Sequence, residues 1–168
     1  MKVIKSKLVI FLGFPLVFLF VVDSFPIQKE FSGICSEVLD GDTIIVNGEK
    51  IRFFGIDAPE KSQKAMSGES IGEWSTFYLK KLILGKRVSV TYYKKGYYGR
   101  IIGEVWMGEN INLKMLEEGM ALRTNYNRNR TYINVEYVAR LERRGIFGTL
   151  GFETPWYYRK RMRSEINR

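Results

Sequence analysis

Histidine is absent from the 168-residue chain, and cysteine occurs once, at Cys35. The first absence excludes imidazole acid–base catalysis, imidazole metal ligation and Ser-His-Asp hydrolysis. The second excludes an internal disulfide and a cysteine-rich zinc site. Cys35 falls in a predicted strand and reads as a buried structural thiol. Repeats and low-complexity stretches are also missing, and the length suits one domain behind a leading segment. What is present can build a core: 45% of residues are hydrophobic and 14% aromatic. Lysine and arginine number 27 against 18 acids, a formal charge of +9. That excess favours a polyanionic partner, either nucleic acid or an anionic membrane surface.

Only one long uncharged run occurs. Lys2, Lys5 and Lys7 precede Leu8–Val22, which is broken only by Gly13 and Pro15. At 1.5 Å per residue the run reaches about 22 Å, short of the roughly 30 Å hydrocarbon core. A secretory signal over residues 1–24 is the expectation. Val22-Asp23-Ser24 offers acceptable residues for cleavage but no A-x-A, so an uncleaved anchor, with membrane association through residues 8–22, stays open. Ile34 before Cys35 argues against lipidation. Either way the remainder is expected outside the cytoplasm, secreted, periplasmic or in the cell envelope. It divides into a domain over residues 31–160 and a basic, solvated tail over 161–168.

Phe31–Leu39, Thr43–Val46 and Lys50–Ile56 predict three strands. Asp40-Gly41-Asp42 is turn chemistry. Asn47-Gly48 predicts a type I′ hairpin, whose central residues both need positive φ. Ser70 predicts a helix N-cap with Glu73 completing a capping box, and Ile71, Trp74, Tyr78 and Leu82 are expected to face the core. Arg87–Tyr93 and Arg100–Met107 predict two more strands. A short helix capped by Asn112, stapled by Ile111 and Leu116, is expected to end at Gly119. A third helix over Thr131–Arg144 should turn Val135, Val138 and Leu141 inward. This order predicts an α+β chain, a five-stranded OB-fold barrel with about three α-helices. Such barrels commonly bind oligonucleotides, although fold alone does not establish function.

Asp42 opens the first hairpin arm and Asp57 closes the second, so the turn brings them together; Glu60 follows closely. Neighbouring carboxylates repel unless a cation lies between them. With no imidazole or thiolate set available, an oxygen-liganded hard cation, Ca²⁺ or Mg²⁺, is the natural candidate. Any one of these acids alone would read as a turn cap. Strand alternation places Arg52 with Ile56, opposite Phe53, on a half-buried face where a guanidinium needs an anion. Arg100 follows Tyr97-Tyr98-Gly99 at a strand start. Two guanidiniums beside a cation could grip a phosphodiester; either alone would read as a surface ion pair.

Val38-Leu39-Asp40-Gly41-Asp42-Thr43 and Ile51-Arg52-Phe53-Phe54-Gly55-Ile56-Asp57-Ala58-Pro59-Glu60 resemble the signature of the staphylococcal-nuclease-like (thermonuclease-like) family. Tyr98-Gly99-Arg100 is similar to its second arginine motif, and Gly119-Met120-Ala121 and Pro155-Trp156-Tyr157-Tyr158-Arg159 to later segments. The resemblance covers about residues 31 to 160. It implies a calcium-dependent nuclease that hydrolyses DNA and RNA to 3′-phosphate and 5′-hydroxyl ends, acting as a monomer. It implies Ca²⁺ ligation by Asp42, Asp57 and the Ala58 backbone carbonyl. Glu60 would act on the attacking water, and Arg52 and Arg100 on the transition state. Ala58 stands where many members have threonine, a change that a carbonyl ligand survives. Gly96-Tyr97 and Leu122–Asn129 depart from the staphylococcal pattern near the nucleotide, which puts substrate preference in doubt. Tyr98 and Tyr126 are candidates for base stacking. The alternatives are a non-catalytic nucleic-acid-binding OB-fold module and a basic membrane-associated protein.

Overall fold

The computed structural model describes residues 28–96 and 99–167. The leading segment 1–24 and Tyr98 lie outside that range. Strands β1 (Lys29–Asp40), β2 (Thr43–Val46) and β3 (Glu49–Phe53) form an antiparallel meander. β5 (Arg87–Lys95) and β6 (Ile101–Met107) follow the short β4 (Ile56–Asp57) and the first helix, α1 (Ile71–Ile83). β1 pairs with β5 through residues 29–34 and with β2 through residues 35–40, with register shifts after Cys35 and Val38. Such bulges bend a strand enough to serve two sides of a barrel. A parallel pairing of β3 with β6 closes the ring. The closed five-stranded barrel with helices is the α+β, OB-type architecture that the element order predicts.

The hairpin between β2 and β3 has the expected backbone, with φ of 51° at Asn47 and 77° at Gly48. Inward residues of all five strands fill the barrel, among them Cys35, Ile44, Ile51, Phe53, Val90, Ile101 and Val105. Cys35 is fully buried, and burial pushes its thiol up from its ordinary value, as a structural role requires. Leu79 and Ile83 of α1 plug one opening; Ile111, Met115 and Leu116 of α2 (Ile111–Glu117) pack against the same core. The remaining elements are β7 (Glu109–Asn110), β8 (Leu122–Arg123), α3 (Arg130–Leu141), a 3₁₀ turn at Gly145–Gly148, and α4 (Pro155–Ile166).

The helices depart from expectation in phase and number. α1 buries Ile71, Gly72, Ser75, Thr76, Leu79 and Ile83, while Trp74 is exposed and Tyr78 and Leu82 are only partly buried. Small residues decide this phase. Gly72 lies so close to the Glu60 carbonyl that no Cβ would fit, and Thr76 donates its hydroxyl to the Gly72 carbonyl at 2.8 Å. Ser70 caps without a side-chain bond, so the capping box with Glu73 does not form. Asn110, not Asn112, caps α2, accepting from the Leu113 N–H at 3.1 Å. α3 turns Tyr132, Glu136 and Ala139 inward and leaves Val138 and Leu141 exposed. Glu136 is tolerated there because Arg123 and Arg140 both pair with it. The expected loose tail at 161–168 is helical through Ile166, which gives a fourth α-helix. Among the described residues no helix is long and apolar enough to cross a membrane.

Asn112 is fully buried and bonds three separate pieces of backbone: the Val105 N–H at 3.0 Å, the Phe54 carbonyl at 2.9 Å and the Gly103 carbonyl at 3.2 Å. It thereby ties α2 to the β6 wall and to the turn that leads to β4. Leucine here would remove the partner of the Val105 N–H and the Phe54 carbonyl, while the Gly103 carbonyl keeps the Phe54 N–H at 2.7 Å. Asn112→Leu should cost about 3 kcal/mol of stability, read as a fall in the urea midpoint with the slope unchanged.

Candidate active site

The site begins at the turn between β1 and β2. Asp40 accepts the Asp42 N–H at 3.0 Å and fixes the turn. Asp42 then points inward, with a side chain only 1% exposed. β2–β3 pairing sets Arg52 opposite Thr43, beside Asp42. Arg52 Nη1 donates to Asp42 Oδ1, and Nη2 donates to Asp57 Oδ1 at 2.6 Å. The remaining oxygen, Asp42 Oδ2, accepts the Ala58 N–H at 2.6 Å. Thr43 Oγ1 donates to Asp42 Oδ1 at 3.1 Å. Burial pushes the Asp42 carboxyl well above the usual carboxylate range, the Arg52 charge pulls it back, and Asp40 adds to the rise.

Asp57 is brought in by β4, which pairs antiparallel with β8 after the chain turns at Phe54-Gly55. That turn breaks strand alternation. Ile56 is buried in the core, while Arg52 lies partly exposed on the outer side of a strand whose Ile51 and Phe53 point inward. The expectation that Arg52 and Ile56 share a face is therefore incorrect. Glu60 lies on the loop beyond; its N–H donates to Gln63 Oε1 at 3.2 Å, and Gln63 is itself fully buried. Exposure rises outward, from 1% at Asp42 and 15% at Asp57 to 38% at Glu60. The three acids form one graded acidic wall.

A third guanidinium completes this wall, one assigned by the sequence reading only to a closing segment. Arg159 of α4 grips Asp57 with both nitrogens, Nη1 to Oδ1 at 3.2 Å and Nη2 to Oδ2 at 2.8 Å. Its Nη1 also donates to Glu60 Oε1 at 2.8 Å. Burial opposes the charge of Arg159, but the bonds to Asp57 and Glu60 prevail and hold its guanidinium above its ordinary value. No local signal marks this arginine, because its partners lie 102 and 99 residues away.

Arg100 stands one residue before β6, next to the β3 strand that carries Arg52. Among the described residues it makes no ion pair with the acids, and its Nε is buried without a hydrogen-bond partner. Such a donor is suited to an incoming oxyanion. Tyr126 is 70% exposed, on a turn anchored by the Asn127 side chain to the Gly55 carbonyl at 3.4 Å.

Among the described residues, no group of three acids stands clear to enclose a metal ion. Arg52 and Arg159 lie between the carboxylates. The donor chemistry is nonetheless of the kind a hard cation takes, carboxylate and carbonyl oxygens, and Asp57 and Glu60 are partly open to solvent. Ala58 contributes its N–H to Asp42, and among the described residues its carbonyl accepts no hydrogen bond.

The family model described as "Staphylococcal nuclease homologue" matches residues 50–148. An "Uncharacterized endonuclease" of Escherichia coli is 39% identical over 131 residues, covering 74% of this chain and 82% of that protein. A "Thermonuclease" of Staphylococcus intermedius is 30% identical over 130 residues, covering 70% of this chain and 77% of that protein.

The Asp42–Arg52 pair makes a direct prediction about stability. Removing Arg52 leaves a buried carboxylate without its cation, so Arg52→Met should destabilise the protein by about 3 kcal/mol. Adding Asp42→Asn to that variant should return a large part of the loss. A double-mutant cycle by chemical denaturation measures the coupling.

Proposed function

The chain belongs to the staphylococcal nuclease homologue family, and from that premise we propose that it is a calcium-dependent nuclease acting on DNA and RNA outside the cytoplasm. The observation that carries this reading is the gathering of Asp42, Asp57 and Glu60 around guanidiniums, Arg52 joining the first two and Arg159 the last two, from a buried acid to a solvent-facing one. Asp42, Asp57 and the Ala58 carbonyl would hold Ca²⁺, which when bound lowers the charge of the phosphodiester and favours ionisation of water. Glu60, the most exposed of the three site acids, would take a proton from the attacking water or orient it. Arg52 and Arg100 would neutralise charge on the five-coordinate phosphorus, with the free Arg100 Nε as one donor. Water adds to phosphorus, the 5′-oxygen leaves and gains a proton, and the products carry 3′-phosphate and 5′-hydroxyl ends.

The charge of +9 suits a polyanionic substrate. Tyr126, exposed at a turn held on Gly55, is available to stack on a base, and Tyr98 is assigned the same role from its motif. Export rests on the lysine-flanked apolar run at residues 8–22. The protein is proposed to act as a monomer.

Purified protein incubated with plasmid or RNA should cleave both in Ca²⁺ and neither in EDTA, with 3′-phosphate at the new ends. Glu60→Gln, Arg52→Lys and Arg100→Gln should each lower the turnover rate by on the order of 10²-fold or more while keeping a folded circular-dichroism spectrum. Full-rate cleavage in EDTA would refute the metal mechanism. Tight oligonucleotide binding without cleavage in Ca²⁺ would favour the non-catalytic binding module.

A further inference from the structure

Arg159 makes bonds that the proposed chemistry does not need. Its fork covers both oxygens of Asp57 and one oxygen of Glu60. Asp57 Oδ1 is already bonded to Arg52 at 2.6 Å. These bonds take three of the roughly four acceptor sites of the Asp57 carboxylate, so a divalent cation ligated by Asp57 competes with the guanidiniums for its oxygens. The two guanidiniums are not equally held. Arg52 sits on a barrel strand, is 23% exposed, and also neutralises the fully buried Asp42. Arg159 is 30% exposed and comes from a helix in which Pro155 alone is buried.

The other attachments of α4 to the cleft are polar and local. Tyr158 shares a hydroxyl bond with Ser62 at 3.0 Å, and Gln63 donates to the Glu153 carbonyl at 2.6 Å just before the helix. These contacts hold α4 over the acidic wall without burying an apolar face there, since Trp156 and Tyr157 are exposed. The helix is thus attached mainly at its N-terminal end and by the Arg159 grip. Bidentate guanidinium–carboxylate pairs are the strong members of their class, yet a partly exposed one is weak enough to exchange.

We propose that Arg159 is a displaceable latch, holding Asp57 and Glu60 in the metal-free protein and competing with the divalent cation for their oxygens. The proposal rests on the metal-dependent reading of the site. It fixes a sign that a merely structural arginine would not have: removing the guanidinium strengthens cation binding. Without Arg159 the three carboxylates face Arg52 alone, and the unrelieved repulsion is offset by the incoming ion.

Calcium titration by isothermal calorimetry, without nucleic acid, tests this on the full chain. Arg159→Gln should bind Ca²⁺ roughly three- to tenfold tighter than the parent. Arg159→Lys keeps the charge but loses the fork, and should fall between them. Arg163→Gln removes the same charge from an exposed position on the same helix and should match the parent. Circular dichroism checks folding, and the lysine variant carries the test if the glutamine variant fails to fold. Arg159→Gln affinity equal to or weaker than that of Arg163→Gln overturns the latch. If the parent still cleaves only with Ca²⁺, the latch alone is lost; full-rate cleavage in EDTA overturns the metal reading and the latch together.

Discussion

The Arg52 guanidinium between Asp42 and Asp57 is the contact on which the site depends. Asp42 is buried at the end of a hairpin and cannot carry charge there without a cation beside it. Arg52 supplies that cation, and its second nitrogen draws in Asp57 from the strand beyond the next turn. One side chain thus joins the β1–β2 turn, the β3 strand and the short β4. The Ala58 N–H closes the group by bonding the other Asp42 oxygen. The polar cluster is therefore part of the fold as well as of the proposed site, the kind of prior arrangement that electrostatic preorganisation calls for.

The barrel makes this rigidity possible. Register in the β2–β3 hairpin is set by Asn47-Gly48, and a shift of one residue would carry Arg52 to the face of Ile51 and Phe53. Closure by β3–β6 pairing brings Arg100 to the neighbouring strand. Asn112 couples the barrel wall to the turn before Asp57. α3 supports the other side, where Glu136 holds Arg123 of β8 and β8 pairs with β4. Asp42, Arg52 and Asp57 are thus braced by a buried hydrogen bond or a ladder, whereas Glu60 sits on a loop tied chiefly by Gln63.

The gradient of exposure divides labour along the wall. The deep acid is locked by Arg52, and the outer two share a guanidinium from a lightly anchored helix. Positive charge near the acids therefore comes in two kinds, one built into the barrel and one delivered from outside it.

Much of this was legible along the chain. Asn-Gly at the hairpin, alternating strands, and Asp42, Arg52, Asp57 and Glu60 at short separations define the barrel meander and most of the acidic wall, because hydrogen-bond ladders and turns act over a few residues. Helix phase was less legible. Trp74, Val138 and Leu141 are apolar yet face out, since Gly72, Ser75 and Thr76 permit a closer approach and Glu136 finds two arginines inside. Arg159 was not legible at all as part of the site. A guanidinium and a carboxylate about a hundred residues apart leave no spacing to read, and only the packing of the last helix across the cleft decides that they meet. Local backbone geometry is enough to set the hairpin and the chemistry of its ends; which charges neutralise them follows from how the chain packs, because ion pairing depends on distance in space.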